Sequence, residues 1–409
     1  MNKLTNLVSR VHQLRAVGKK KVTLLAVCPN SEAVLEAAVK SAMLNNCPML
    51  FAATLNQVDR DGGYTGWTPA TFVTHMTNFA AKYGWTGPLY PCLDHGGPWL
   101  KDTHAINKLS LQQTMAEVKL SISACLQAGY QLLHIDTTVD RELSEGQSVM
   151  VETVVDRTIE LISYAEIERK RMKLDPVAYE VGSEEVHGGL TDIKNFQKFM
   201  LLLKKGLAEK HLDQIPIAFY VAQVGTDLHT TVFDPLIARK VVEMVSLENG
   251  LIKGHYTDGV TNLQDYPECG MGGANVGPEL TAAELKALAD LSLKESDLCQ
   301  NRPELVPSNF LSVVEQEVLR SGRWMKWLQP EEKGLDFSRL SPSRREWLIS
   351  TGARYIWTSS KVVVARKQLY SNLSRVIPDP HQYVIDGICD AIDRYVNAFH
   401  LFDLLTIVK

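Results

Sequence analysis

Short apolar segments alternate with amphipathic stretches over about the first 280 residues. Each segment is apolar on both faces, as expected for a parallel strand that is covered by helices. Eight segments of this kind, over a length close to the usual ~250 residues, predict a (β/α)8 barrel. A doubly wound open sheet is the alternative, but it needs a glycine-rich turn after the first strand, and "CPNSEAV" contains no glycine. The segments are residues 22–30, 48–57, 89–97, 131–138, 177–185, 215–225, 250–259 and 270–280.

The pattern changes near residue 298, where strand-like segments give way to helical spacing. "FLSVVEQEVLRSGRWMKWLQ" and "PHQYVIDGICDAIDRYVNAFHLFDLLTIVK" both read as helices. We therefore expect two parts: a barrel with an N-terminal helix over residues 1–297, and a helical C-terminal extension over residues 298–409 that packs on it.

Composition excludes several classes of protein. A net charge of −4 without a large basic block argues against nucleic-acid binding, and no apolar run approaches the length of a membrane span. The seven cysteines are scattered and include no C-x-x-C pair, which is typical of unpaired thiols in a reducing compartment. The N-terminal stretch lacks the features of a secretory signal, so we expect a cytoplasmic protein. No G-x-x-x-x-G-K-[ST] motif is present, which argues against a P-loop kinase.

Polar residues gather at the C-terminal ends of the predicted strands. In a (β/α)8 barrel this end carries the active site, so the side chains are expected to converge there. In strand order, from the second strand to the eighth, they are Asn56 and Gln57, Asp94 and His95, His134 and Asp136, Glu184, Gln223, His255 and Asp258, and Asn275.

These residue types predict a divalent-metal site. His95, Glu184 and His255 offer nitrogen and oxygen ligands without thiolate, a set that suits zinc first, or manganese, cobalt or iron(II). Such a metal polarises a ketone and stabilises an enediolate. Asp94, Asp136 and Glu184 are the candidate proton-transfer residues. For His134 two roles stay open, a direct metal ligand or a histidine that is hydrogen-bonded below the site.

Two loops and one arginine are candidate substrate contacts. "GGYTGWTP" (62–69) either lines a sugar site through Tyr64 or forms only a tight turn. "GMGGANVGPELT" is a candidate phosphate cradle at a helix start. Arg354 either closes over an anionic group or only pairs with acids on the barrel. The full predicted substrate-binding set is Asn56, Gln57, Tyr64, His134, Gln223, Asp258, Asn275 and Arg354.

Several longer motifs occur in a fixed order: "NQVDRDGGYTGWTP", "LDHGGPW", "HIDTT", "GSEEVHGG", "GHYTDG", "NVGPELT" and "RYIW". Together they resemble the Z-type subunit family of class II D-tagatose-1,6-bisphosphate aldolases (GatZ/KbaZ-like), from about residue 25 to the C-terminal helices. The resemblance implies a (β/α)8 barrel and hexulose-phosphate metabolism. It also implies a subunit that supports a separate catalytic aldolase chain. Some relatives are metal-dependent ketohexose C4-epimerases, and some are labelled tagatose-6-phosphate kinases.

The resemblance also implies residue roles. Asp94 matches the proton-transfer residue of the catalytic class II aldolases, and His95 and His255 match metal ligands. Asn275 and Gly277 match their phosphate-side loop. Those enzymes use a further ligand histidine between the two, for which this sequence offers no matching strand-end position, so Glu184 is expected to replace it.

The sequence therefore predicts metal-dependent aldol-type chemistry on a ketohexose or its phosphate. Two alternatives stay open: a stand-alone ketohexose (phosphate or uronate) C4-epimerase, and a non-catalytic subunit that stabilises a separate aldolase chain. We expect an oligomer, without nucleic-acid or membrane partners.

Overall fold

Eight parallel strands form a closed barrel in which each strand pairs with its neighbour in the sequence and β8 pairs with β1. The computed structural model describes residues 3–18, 20–144, 147–182, 190–227 and 229–408. The predicted (β/α)8 barrel is confirmed, and each strand lies within its predicted segment. The strands are β1 Leu24–Val27, β2 Leu50–Thr54, β3 Tyr90–Gly96, β4 Leu132–Ile135, β5 Ala178–Gly182, β6 Ile217–Val221, β7 Leu251–Gly254 and β8 Gly273–Val276.

Helices connect the strands and cover the outside of the barrel. Several begin where the sequence supplies a cap: Ser31 accepts a hydrogen bond from the N–H of Val34, and Thr68 and Ser110 start capping boxes. Among the described residues, no helix is long and apolar enough to cross a membrane. Up to β8 and just beyond, the helices are α1 Lys3–Ala16, α2 Glu32–Leu44, α3 Pro69–Lys82, α4 Asp102–Ile106, α5 Leu111–Gln127, α6 Val151–Arg171, α7 Ile193–Glu209, α8 Pro235–Ser246, α9 Asp265–Cys269 and α10 Pro278–Asn301.

The C-terminal region is helical, as expected. Its α-helices are α11 Phe310–Ser321, α12 Pro342–Ala353, α13 Ser360–Leu373, α14 Pro380–Ala398 and α15 Leu404–Ile407, with three 3-10 turns between α11 and α12. Helix α14 packs against both α2 and α10, so this region completes the outer layer of the barrel. Residue 297, the predicted boundary, lies inside α10, and the division of the chain at that point stays a prediction.

The pairing of β3 with β4 is irregular at its C-terminal end. Leu93 lies opposite Leu133 and Gly96 lies opposite Ile135, so two residues of β3 face one residue of β4. This is a β-bulge with one extra residue, which interrupts the alternation of side chains between the two faces of a strand. The two residues opposite His134 are Asp94 and His95, and the bulge positions both of them at the end of the barrel.

Candidate active site

Four polar side chains meet at the C-terminal end of the barrel. Asp94 and His95 come from the bulge of β3, His134 lies in β4, and His255 directly follows β7. One ligand atom from each of them lies within 4.8 Å of the others, and the centroids of the three imidazole rings are 4.7–5.2 Å apart. This is the arrangement of nitrogen and oxygen donors that a divalent metal needs.

The backbone at the end of β3 is shaped for this arrangement. His95 has a φ of +48°, a left-handed conformation that L-residues adopt rarely. Gly97 lies so close to β4 that a Cβ atom there would be 1.4 Å from the carbonyl oxygen of Asp136. The sequence "DHGG" therefore combines a strained histidine with a glycine whose missing side chain lets the backbones of β3 and β4 approach each other.

Asp136 fixes the orientation of His95. Its Oδ2 lies 2.7 Å from Nδ1 of His95, and its Oδ1 accepts hydrogen bonds from the backbone N–H and the hydroxyl of Thr138. Burial alone would lower the pKa of His95, but the negative charges of Asp94 and Asp136 outweigh burial and raise that pKa to about 9. Nδ1–H of His95 donates a hydrogen bond to Asp136, and Nε2 of the same ring therefore faces the centre of the site.

Glu180 fixes His255 in the same way from below. Oε1 of Glu180, in β5, lies 3.0 Å from Nε2 of His255, and Oε2 accepts a hydrogen bond of 2.7 Å from Nζ of Lys253. Glu180 and Lys253 are both 0% exposed. Burial lowers the pKa of His255 to about 4, so this imidazole is neutral, with its proton on Nε2 and the lone pair of Nδ1 facing the site.

The two inward-facing nitrogens oppose each other. Nε2 of His95 and Nδ1 of His255 are 3.1 Å apart. That distance suits a hydrogen bond from a protonated Nε2 of His95 to Nδ1 of His255, and it also suits two nitrogens that bind one metal ion. The donor set and its protonation pattern therefore fit a divalent metal, which the two imidazoles can accept without losing their carboxylate partners.

Asp94, in β3, contacts one residue of β4 and one residue of β8. Its carboxylate is 3.2 Å from Nδ1 of His134 and accepts a hydrogen bond of 3.2 Å from Nδ2 of Asn275. Burial alone would raise the pKa of Asp94, but the positive charge of His95 and the hydrogen bond with His134 hold it well below its usual range. Asn275 is buried, and its Oδ1 has no hydrogen-bond partner in the part of the chain that the structure describes. That oxygen can therefore accept a hydrogen bond from a substrate hydroxyl.

The structure describes one of the two further candidate ligands. Glu184, predicted as a ligand and proton-transfer residue, lies outside the described residues. His134, for which a ligand role and a hydrogen-bonded position below the site are both open, lies among the four residues that could hold a metal ion, and its role stays a prediction. Nδ1 of His134 also accepts a hydrogen bond of 3.1 Å from the backbone N–H of His95. His134 is therefore hydrogen-bonded to β3 and also lies next to the other candidate ligands.

The residues after β2 hold their own loop together. The side chain of Gln57 bonds to the carbonyl of Pro29, to Asn30 and to the N–H of Thr54. Asn56 bonds to the carbonyl of Leu100 and the N–H of Asp102. These contacts stabilise the loops around the barrel end, and the substrate-binding roles of both residues stay predictions. After β6, the backbone carbonyl of Gln223 accepts two hydrogen bonds from Thr191.

The predicted phosphate cradle at the start of α10 already has an anionic partner. Oδ1 of Asp258 accepts hydrogen bonds from the N–H groups of Gly277, at 3.0 Å, and Glu279, at 2.8 Å. Burial raises the pKa of Asp258 to about 6. A phosphate at this helix start would have to displace the carboxylate, so the glycine pattern alone does not make an open anion site here.

Sequence reasoning missed the buried pair below the site. Neither Glu180 nor Lys253 is among the site residues predicted from the sequence. A signal was present, because "GLIKGHY" places a lysine inside a strand that is otherwise apolar on both faces. A lysine is almost never fully buried without a partner, so Lys253 requires an acid in the barrel interior.

The chain is similar to known proteins over most of its length. A family model described as D-tagatose-1,6-bisphosphate aldolase subunit GatZ/KbaZ-like matches residues 8–386. A solved structure described as a probable tagatose 6 phosphate kinase from Sinorhizobium meliloti 1021 is 23% identical, with a TM-score of 0.75 over 92% of this chain and 100% of that chain. The fructose-bisphosphate aldolase from Campylobacter jejuni is 11% identical, with a TM-score of 0.58 over 98% and 95%. At these identities the two structures share the fold, and the likeness carries no statement about the reaction.

Proposed function

Because the chain belongs to the D-tagatose-1,6-bisphosphate aldolase subunit GatZ/KbaZ-like family, we propose that it performs metal-dependent aldol-type chemistry on a ketohexose phosphate. One observation carries the proposal: the inward-facing nitrogens of His95 and His255 lie 3.1 Å apart, each fixed by its own buried carboxylate. Two imidazole nitrogens that converge in this way, each with its tautomer fixed by a carboxylate, suit a bound metal ion.

The metal would be held by His95 through Nε2 and His255 through Nδ1, with His134 and Asp94 completing the donor set. When bound, a divalent ion such as zinc, manganese or cobalt supplies a positive charge that polarises a ketone carbonyl. Asp136 and Glu180 keep the two imidazoles in the tautomers that direct their lone pairs inward. Glu184 stays a proposed additional ligand or proton-transfer residue.

Aldol cleavage of a ketohexose needs one proton acceptor and one place for an electron pair. The C4 hydroxyl loses its proton, the C3–C4 bond breaks, and the electron pair of that bond moves toward the C2 carbonyl oxygen. Asp94 is the proposed acceptor of the C4 hydroxyl proton. The Oδ1 atom of Asn275 is the proposed acceptor for a neighbouring hydroxyl, because it is buried without a partner among the described residues.

A C4-epimerase would begin with the same step. If the C3–C4 bond forms again on the other face of the aldehyde, the products are two epimers and not two three-carbon fragments. The second candidate function is a stabilising role beside a separate aldolase chain. The family description favours it, because that description names a subunit. The three functions differ in their products, so one set of assays separates them.

The first test is metal stoichiometry by mass spectrometry after reconstitution with zinc, manganese or cobalt and desalting. We expect about one tightly held ion per chain in the wild type, and none in His95→Ala and His255→Ala, because each variant removes one of two opposed ligands. His75→Ala is the matched control, since His75 lies on α3, 3.9 Å from Glu32, and is outside the group of four residues that could hold a metal ion. Equal metal content in all four proteins would contradict the proposed site.

The metal-loaded chain is then incubated alone with D-tagatose 1,6-bisphosphate and D-tagatose 6-phosphate. Cleavage to three-carbon products supports the aldolase, and formation of the C4 epimer supports the epimerase. If metal binds but neither product forms without a partner chain, the stabilising subunit becomes the preferred function.

A further inference from the structure

Arg354 is a buried cation without an anionic partner in the described part of the chain. It directly follows α12 and is 8% exposed. Its guanidinium lies between two aromatic rings, 4.6 Å from the centroid of Trp327 and 5.0 Å from that of Tyr355. Stacking of this kind fixes the plane of the group and favours its charge, but it supplies no hydrogen-bond acceptor.

The two guanidinium nitrogens without a partner are Nε and Nη2. These atoms lie along the same edge of the guanidinium and form the planar fork that matches two oxygens of a carboxylate or a phosphate. A buried charge with unsatisfied donors is costly. Lys361, on the following helix α13, does not share the problem, because it is exposed and lies 3.4 Å from Glu317.

Arg354 lies above the same end of the barrel as the candidate metal ligands. The ring of its neighbour Tyr355 contacts Tyr64 edge to face at 5.0 Å, and the hydroxyl of Tyr64 donates to Asn30 in the loop after β1. Burial raises the pKa of Tyr256 and of Asp258, and the charge of Arg354 acts against burial at both groups. Tyr256 directly follows His255, so the guanidinium charge reaches the loop that carries a candidate ligand.

The carboxylate of Asp258 occupies the position where this fold usually binds an anion. Barrels often bind phosphate at a helix start after their seventh and eighth strands. Here Asp258 accepts hydrogen bonds from the N–H groups of Gly277 and Glu279 at that place. Arg354 is the cation near this end that has neither a carboxylate nor a carbonyl partner among the described residues.

We propose that Arg354 binds the anionic terminal group of the substrate through the fork of Nε and Nη2. The substrate class is then a ketohexose carrying a terminal phosphate or a terminal carboxylate, and neutral ketohexoses are discriminated against. This inference rests on the proposed function and adds to it the residue that sets substrate charge.

The test compares the binding of three probes to the metal-loaded chain by calorimetry: D-tagatose 6-phosphate, D-tagaturonate and neutral D-tagatose. In Arg354→Gln we expect binding of D-tagatose 6-phosphate, of D-tagaturonate or of both to weaken by roughly 10- to 100-fold, because a charge-assisted bidentate contact is lost. Binding of D-tagatose should change by less than about twofold. Arg354→Lys should lose nearly as much as Arg354→Gln, because a lysine keeps the charge without the fork. Lys361→Gln is the control for loss of one positive charge from the same region.

The outcomes separate this inference from the proposed function. An anionic probe that binds wild type and Arg354→Gln equally, or a loss that is the same for neutral D-tagatose, overturns the role of Arg354 while the metal chemistry stands. If Arg354→Gln weakens binding of D-tagatose 6-phosphate alone, the bound group is a phosphate. If it weakens binding of D-tagaturonate alone, the bound group is a carboxylate. If the wild type binds no sugar, thermal stabilisation by inorganic phosphate decides: stabilisation that Arg354→Gln removes supports the anion site, and no stabilisation overturns it.

Discussion

At the level of single residues, Glu180 connects the candidate ligands with the interior of the barrel. One carboxylate oxygen lies 3.0 Å from His255, and the other lies 2.7 Å from Lys253. The pKa of Glu180 is lowered to about 2, because the positive charge of Lys253 outweighs the effect of burial. An ionised Glu180 accepts a hydrogen bond from Nε2–H of His255, so Nδ1 of that neutral imidazole carries no proton. Lys253 acts through this chain of contacts and, at 0% exposure, is not accessible as a nucleophile.

Glu180→Gln should therefore weaken metal binding by roughly 10- to 100-fold, the usual effect of removing a partner of a ligand histidine. The measurement is the zinc dissociation constant by competition with a chelator. Glu166→Gln is the matched control, since Glu166 is another buried glutamate, bonded to Arg169 and Tyr179 on the outer side of the barrel. If both variants shift the dissociation constant by the same factor, Glu180 has no specific role at the site.

The sequence could predict His95 and His255 as candidate ligands because each stands at a strand end next to a glycine. It could not predict which partner holds each imidazole. That choice depends on which interior side chains of β5 and β7 face each other, and periodicity along one strand carries no information about the opposite wall of a barrel. Glu180 and Lys253 are therefore identified only in three dimensions.

At the level of elements, the end of β3 determines the geometry of the site. In a regular strand Asp94 and His95 would point to opposite faces. The structure keeps the strand to Gly96 and inserts a bulge opposite His134, which breaks that alternation. A bulge is defined by the pairing of two strands, so the sequence of one strand segment does not reveal it. The strands themselves were predictable because their apolar runs are two-sided.

Gly97→Ala should disrupt this element. The added Cβ would lie 1.4 Å from the carbonyl oxygen of Asp136, so β3 must separate from β4 and His95 must lose its partner. We expect destabilisation of about 2–4 kcal/mol by denaturant titration, similar to other overpacked sites, together with loss of tight metal binding.

Gly129→Ala provides the comparison for this prediction. Gly129 has a φ of +83° and nothing within 4 Å of an added Cβ, so it reports backbone strain without a clash. Its cost should be near 1 kcal/mol, and metal binding should be unchanged. A Gly97→Ala protein that is as stable as wild type and retains its metal would show that the close approach is unnecessary.

At the level of the whole molecule, the C-terminal region is attached to the first helix of the barrel by buried polar contacts. Glu36 of α2 is 2% exposed. It accepts hydrogen bonds from Lys82 and from the hydroxyl of Tyr83, at 2.5 and 2.6 Å, and lies 2.9 Å from the ring of His381 in α14. Burial alone would raise the pKa of Glu36, but its contacts with His381, Lys82 and Tyr83 lower it to about 2.

Glu36→Gln should remove the contribution of this carboxylate to the free energy of unfolding, and that contribution should depend on pH. A lowered pKa in the folded chain means that the stabilisation is complete above the unfolded pKa of about 4.5 and is lost as the pH falls toward 2. The variant should be less stable than wild type by about 2–3 kcal/mol near pH 6, and the difference should shrink as the pH falls below about 4.5 and be largely lost near pH 2.

Denaturant titrations at several pH values check this, with Glu32→Gln as the control. Glu32 lies on the same helix, but its side chain is 65% exposed, so its replacement should cost little at any pH. A difference between wild type and Glu36→Gln that stays constant from about pH 6 to about pH 3 would exclude the ionised carboxylate as the cause.

The contact between α2 and α14 also has a consequence for how the protein is made. Glu36 and His381 are 345 residues apart in sequence. A ribosome that synthesises about 5–20 residues per second therefore takes at least ~17 seconds to make the second helix after the first. During that interval the outer side of α2 lacks the surface that covers it in the folded chain. A nascent chain of this fold thus presents an early, uncovered helix to chaperones, and a slow codon before residue 380 would prolong that exposure without changing any residue of the native barrel.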